Sequence, residues 1–423
     1  MTTEAHPAAG QDRPISTFAA FSEPGFVALW LNMFCVTLGI VMCITTQFIV
    51  IEDLTGSNGA VGAVTFGLGV PMLVLGPLAG VLADRLPKHL ILLFGQAAMA
   101  SAAFVLACLV ATDTDSVAAV LTVSVVTGTA LAVMGPTQTA YMGNLVRPAL
   151  IGNATALFNS CLSATRVLGP LAVAALLAWD AIGSAGSLFV VASLLMAGLV
   201  PLAALPRGRS GAAAVESILD EMKLGYRHVL ERPSLFRLAM SFGAVTLLGF
   251  SYFVVLPRFI DNVLNAGDSG YGILVGVSAA GGLAANVLVA RLADSKRITL
   301  LLNLSALLFG VGLIATGIAP NFWAALATMT LVGAASTAFQ VLNNAAAFRE
   351  TDPAYLGRVA ALLNIAWSLT NLAGLPVGIV ADAAGERGTL LGVGFGLVAL
   401  AMLLAAWGAA PVRAVQPALE AEA

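Results

Sequence analysis

The chain reads as an all-α polytopic membrane protein: twelve transmembrane helices in two pseudo-symmetric bundles of six. Three observations carry that reading. Hydrophobic residues make up 59% of the 423 residues and charged residues 10%, where a soluble domain carries about 25% charged. Charge-free runs long enough to cross a bilayer, which takes about 20 apolar residues, recur along nearly the whole sequence. Lipid offers no partner for bare backbone N–H and C=O groups, so each run must close its own hydrogen bonds as a helix. The third observation is an internal repeat, described below.

In order, the spans fall at 26–50, 59–83, 90–111, 117–141, 152–178, 183–205, 236–256, 270–290, 298–319, 322–348, 359–381 and 388–410. Glu52 and Asp53 close the first. Asp84 and Arg85 close the second, and Pro87 precedes the third. The polar run Asp113, Thr114, Asp115, Ser116 separates the third from the fourth; Arg147 and Pro148 separate the fourth from the fifth. The ninth and tenth share one charge-free run, too long for a single crossing. It is divided at Pro320–Asn321, because proline stops a helix. Residues 1–22 form a polar tail rich in small residues and proline, read as disordered. A bundle at 23–205 follows, then a polar linker at 206–234, a second bundle at 235–410 and a tail at 411–423. Within the linker, Ile218, Leu219, Met222, Tyr226, Val229 and Leu230 keep helical spacing. This predicts an amphipathic helix lying on the membrane surface.

Orientation follows from loop charge. Of 19 lysines and arginines, 16 lie in the even-numbered loops and the two tails or, for Arg237, at the adjoining end of the seventh span. Two, Arg258 and Arg387, lie on the opposite side, and Arg166 lies within a span. Positive loops stay in the cytoplasm, so both termini are expected there, in a bacterial cytoplasmic (inner) membrane.

The halves repeat at an offset of 205 residues. Gly128 then meets Gly333, Pro148 meets Pro353, Gly152 meets Gly357, Asn159 meets Asn364 and Gly169 meets Gly374, with no gap. Parallel repeats of this kind build one large class of secondary transporters, whose substrate site lies between the halves near the midplane.

After the second span stands Gly80-Val-Leu-Ala-Asp84-Arg85-Leu-Pro87-Lys88-His89. It resembles the Gly-x-x-x-Asp-Arg-x-Gly-Arg-Arg loop of the major facilitator superfamily, with Gly80, Asp84, Arg85 and Lys88 matching. Pro87 replaces the second glycine and His89 a basic residue. Span count, linker and repeat agree with that resemblance over the whole chain. It implies the fold of that superfamily, function as a monomer, and a gating role for the loop. In the family the acid lies near the N-terminus of the eleventh span, where the helix dipole favours an anion. Leu54-Thr55-Gly56-Ser57 and the run Asn153-Ala154, Asn159, Arg166-Val-Leu-Gly169-Pro170 resemble bacterial exporters related to enterobactin and macrolide pumps. Gly169-Pro170 is a helix-packing element similar to part of an antiporter motif. Thr165 and Val173-Ala174 replace its other glycines.

A few polar groups lie within spans. Arg166 is near the middle of the fifth, where a charge costs about 3 kcal/mol or more. Either it binds an anionic or polar part of a substrate or governs the conformational switch, or it anchors helices through carbonyls and amides. Gln47, Gln138, Asn159, Gln340, Asn343, Asn344, Asn364 and Asn371 are further candidates to line a cavity, each of which could instead join helices. Trp367 and Tyr252 could stack on an aromatic solute. No Asp, Glu or His lies deep in a span. Proton antiport is therefore implied by the resemblance alone, with Glu52, Asp53 or Asp84 as boundary groups that could serve it.

No phosphate-binding loop, catalytic set or metal-ligand cluster is found. Cys35, Cys43, Cys108 and Cys161 are read as apolar filler within spans. The expected function is secondary active efflux of a small amphipathic molecule (a drug, a siderophore or a secondary metabolite), without enzymatic activity, cofactor or nucleic-acid partner. Import of a small nutrient, and a non-transporting sensor or scaffold, remain alternatives.

Overall fold

The computed structural model describes residues 16–179, 181–205, 226–290, 292, 295, 297–352 and 355–406, without the side chains of 77, 79–85, 290, 357, 361 and 364. Twelve helices among these residues are long and apolar enough to cross a membrane. They are α1 (Phe26–Thr55), α2 (Asn58–Arg85), α3 (Lys88–Ala111), α4 (Val117–Leu145), α5 (Ile151–Leu177), α6 (Gly183–Ala203), α7 (Pro233–Val263), α8 (Gly267–Ala290), α9 (Ile298–Gly317), α10 (Phe322–Arg349), α11 (Leu356–Ala384) and α12 (Glu386–Ala406). The expected count and class hold. The break at Pro320–Asn321 holds too: α9 stops at Gly317, and Asn321 caps α10 by accepting from Ala324 N–H at 2.9 Å.

One difference stands at the N-terminal end. Ala19–Ser22, placed in the tail by the sequence, form a 3-10 turn held by Asn153 at the start of α5. The Asn153 side chain accepts from Ala20 N–H at 2.9 Å and donates to the Thr17 carbonyl at 2.8 Å. The predicted linker helix lies mostly outside the described residues; 226–231 are helical.

The turns after odd-numbered helices gather at one end of the molecule, the odd end. Turns after even-numbered helices gather at the even end. Helix α1 packs on α5 and α6, α3 on α4 and α6, and α2 on α4. In the second half α9 packs on α10 and α12, and α8 on α10. Lipid gives no hydrophobic drive for helices to associate, so small residues and polar contacts must hold them together. The repeat shows this directly. Gly128 of α4 abuts the backbone of Leu68 on α2, and Gly333 of α10 abuts the backbone of Ser278 on α8. Neither site has room for a Cβ atom. Buried amides add stitches: Asn32 donates to Gln96 at 2.7 Å and to the Gly198 carbonyl at 2.8 Å, and Gln96 donates to the Leu195 carbonyl at 2.6 Å. This joins α1, α3 and α6. The perimeter exposes large apolar side chains such as Phe94, Val200 and Trp323, as a lipid-facing surface requires.

Gly128→Val and Gly333→Val are each expected to destabilise the protein by about 1–3 kcal/mol through overpacking. Gly76, which meets nothing within 4 Å, should tolerate valine. Thermal unfolding of the purified protein in detergent reads this. Equal transition temperatures for all three variants would contradict it.

Candidate functional site: the seam between the bundles

The two halves meet along two helix pairs, α2 with α11 and α5 with α8. Both are built on glycine. On α2, Gly62 lies against the backbone of Gly374 and Leu375, and Gly69 against Ser368 and Asn371. Gly76 continues the same face seven residues further toward the even end and faces open space. On α8, Gly272 lies against Pro170 and Ala174 of α5, and Gly276 against Leu171. Four and seven residues before Pro170, the same face of α5 presents Arg166 and Ser163, and then Asn159. Arg166 and Asn159 are exposed. The contacts thus crowd toward the odd end. Toward the even end, Gly76 of α2 meets nothing within 4 Å, and Arg166 and Asn159 of α5 are exposed.

Arg166 is enclosed by protein at a distance, yet its side chain is accessible. Pro170 has no N–H to give the Arg166 carbonyl four residues back. The helix is weakened where the charge sits.

A polar cluster closes the odd end. Asp382, near the C-terminus of α11, caps the N-terminus of α2 across the seam. Its carboxylate accepts from Asn58 N–H at 2.7 Å, Gly59 N–H at 2.9 Å and the Ser57 hydroxyl at 2.6 Å. Orphan N–H groups and the helix dipole both favour an anion there. Gly56, with φ of 56°, ends α1 in a left-handed turn that brings Ser57 and Asn58 into place. Arg258, on the last helical turn before a π-turn at Phe259–Val263, reaches Asp382 at 3.4 Å, Glu386 at 3.6 Å and Glu52 at 3.7 Å. Asn58 and Asn262 both donate to Glu386, at 3.2 and 3.3 Å. Glu52, Ser57, Asn58 and Gly59 belong to the first half; Arg258, Asn262, Asp382 and Glu386 belong to the second.

The sequence-derived candidates divide. Gly80, Asp84 and Arg85 lie on the last turns of α2, at the even end, with side chains outside the described residues. Lys88 is buried at the first turn of α3. Asp352, just before α11, pairs with Arg232 of the linker at 2.6 Å. Next to it His228 stacks on Tyr355 with ring centroids 4.1 Å apart. Burial and the nearby Arg232 hold its imidazole below the usual histidine range. Gln47 is buried between α1 and α4, where it accepts from the Ser124 hydroxyl at 2.6 Å. Asn343 is buried and accepts from Ser241 at 3.3 Å. Gln138 is buried, and Gln340 is half-buried with a long contact to the Ser336 carbonyl at 3.4 Å. Gly169 lies against Val41 of α1. The Asn364 side chain is outside the described residues. Asn371 and Trp367 share the α11 face that turns toward α2, and Asn371 points at Met72 Sδ at 3.9 Å. Sequence reasoning missed Asp382, Glu386 and the Asn32–Gln96 stitch. The acids stand at helix ends, where a charge is ordinary. A shallow apolar notch between α3 and α4, lined by Val105, Leu106 and Val123 among others, lies outside the seam.

Two six-helix bundles joined along a polar, glycine-lined seam within the membrane define a membrane transporter. The chain belongs to the Major Facilitator Superfamily, whose family model matches residues 29–375. It is 27% identical over 418 residues to an uncharacterized MFS-type transporter, y4rN, of Sinorhizobium fredii, covering 95% of this chain and all of that one. Among solved structures, a bacterial homolog of the human lysosomal transporter Spinster, inward-facing and unoccupied, matches with TM-score 0.70 at 15% identity, over 90% of this chain and 95% of that one. The nucleoside transporter NupG matches with TM-score 0.69 at 16% identity, over 90% and 98%. These two likenesses concern the fold.

Asp382→Ala should open the odd end. Thr65, buried against Gly374, is the reporter: with Thr65→Cys in a chain stripped of its native cysteines, a membrane-impermeant maleimide should react slowly in the parent and much faster in the Asp382→Ala variant. Equal rates would show that the carboxylate does not hold the seam.

Proposed function

We propose that the protein is a secondary active transporter that exports small amphipathic organic molecules by alternating access. The observation that carries this reading is the seam itself: held at the odd end by glycine contacts and the Asp382 cap, with Gly76 and Arg166 toward the even end left uncovered by the described residues. Such an arrangement is one state of a two-state carrier.

Helices α2 and α11 run antiparallel, and each carries an aspartate 26 positions after its first residue: Asp84 after Asn58, and Asp382 after Leu356. At 1.5 Å per residue that is about 39 Å of helix. Asp382 caps α2 in the state described. Asp84 is the counterpart that caps α11 when the even end closes. This gives Gly80, Asp84, Arg85 and Lys88 their gating role.

The 16-to-2 division of basic residues supports a cytoplasmic even end, with both termini, in the bacterial cytoplasmic membrane. Export is supported by the Leu54–Ser57 turn and the α5 residues resembling exporters. In that reading proton antiport runs through boundary carboxylates, Glu52 and Asp53 outside and Asp84 inside, and the working unit is a monomer.

Everted membrane vesicles test this. With an acidic lumen, vesicles carrying the protein should accumulate members of a panel of labelled amphipathic compounds, and a protonophore should abolish the accumulation. Accumulation equal to that of vesicles lacking the protein, across the panel, would overturn the reading.

A further inference from the structure

Resting on that transport reading, we propose that the cargo is an amphipathic organic anion whose carboxylate, sulfonate or phosphate docks on Arg166. Arg166 makes no hydrogen bond or ion pair with any described residue. Its guanidinium cannot be neutralised by losing a proton, so the charge is permanent. It stands eleven residues from the odd end of α5, about 16 Å deep, close to the middle of a hydrocarbon core about 30 Å thick. The acids of the described residues lie at the two ends: Glu52, Asp53, Asp113, Asp115, Asp261, Asp268, Asp382 and Glu386 at the odd end, where Arg258 holds Glu52, Asp382 and Glu386, and Glu23, Glu231, Glu350 and Asp352 at the even end. An unpaired charge at that depth is costly unless something brings it a counter-charge.

The neighbouring surface fits the rest of such a molecule. Ser163 and Asn159 continue the Arg166 face with neutral hydrogen-bonding groups. On the second half, Asn371 of α11 lies against Gly69 of α2, about 20 Å from the odd end of its helix, and Trp367 stands one turn further, at about 25 Å. Trp367 is half-buried against Phe250, with centroids 5.0 Å apart. A charged head therefore meets the first half and an apolar or aromatic body meets the second. Arg166 is the cation that selects the sign of the cargo.

The test uses the purified full-length protein in nanodiscs and three probes on one scaffold: 2-naphthoate, 2-naphthalenemethanol and 2-naphthylmethylammonium. Binding is read by ligand-induced thermal shift. The anion should stabilise the wild type and the neutral and cationic analogues should not. Arg166→Gln should weaken the anion's effect by at least about tenfold, the loss expected for one hydrogen-bonded charge, and Arg166→Lys should restore part of it. The empty Arg166→Gln protein should be no less stable than wild type, since an unpaired charge has been removed. Absence of a preference for the anion, or a preference that survives Arg166→Gln, overturns the proposal. So does an Arg166→Gln protein that is destabilised when empty and unchanged in charge preference, which would make Arg166 a helix anchor. Protein-dependent flux confined to neutral or cationic compounds would defeat this proposal and leave the transport reading standing. Anion binding without flux would overturn the transport reading and, with it, the assignment of the anion as cargo.

Discussion

The arrangement depends on one antiparallel helix pair. Helix α2 begins at the odd end with backbone N–H groups that have no partner inside their own helix, and the acid that satisfies them comes from the other half of the molecule. Lipid and the membrane boundary make an unsatisfied helix end expensive. The two bundles are therefore tied by a requirement of the backbone, in addition to their packing. The glycines at 62, 69, 272 and 276 let the helices approach closely enough for the tie to form.

The magnitudes suit a reversible contact. A carboxylate at a helix N-terminus contributes about 0.5–2 kcal/mol, and a hydrogen bond to a charged group about 1.5–3 kcal/mol. A shift from 1:99 to 99:1 between two states takes about 5.5 kcal/mol. A cap, a few charged contacts and a glycine seam lie within that range, so closing the opposite end can offset their loss. A large interdigitated apolar interface would lock one state. Within each bundle the contacts are of another kind: Gly128 on Leu68, Gly333 on Ser278 and the buried Asn32–Gln96 stitch admit no sliding.

Composition and loop charge made the twelve helices legible, because a bilayer imposes both the length and the internal hydrogen bonding. The repeat pointed at Gly128 and Gly333, and the structure shows why only glycine fits at both. Polar residues within spans were harder to assign. Gln47 and Arg166 look alike in a sequence, each a polar group in an apolar run. One is buried against Ser124 and the other is exposed on the face of α5 that continues from the seam contacts. Helical spacing alone does not tell which face a neighbouring helix covers. Asp382 was invisible for a further reason: acids at helix ends are common, and the α2 groups it caps lie more than 300 residues away in sequence.

The most direct test measures both ends of the molecule at once. Spin labels on Thr114→Cys and Ile318→Cys report the separation of the halves at the odd end, and Ala149→Cys with Arg297→Cys reports the even end, in a chain without native cysteines. Double electron–electron resonance should show the odd-end distance lengthening and the even-end distance shortening in the Asp382→Ala variant, with the opposite pair of shifts in Asp84→Ala. Distances that move in the same direction, or that ignore both substitutions, would contradict two carboxylates capping the same helix pair in turn.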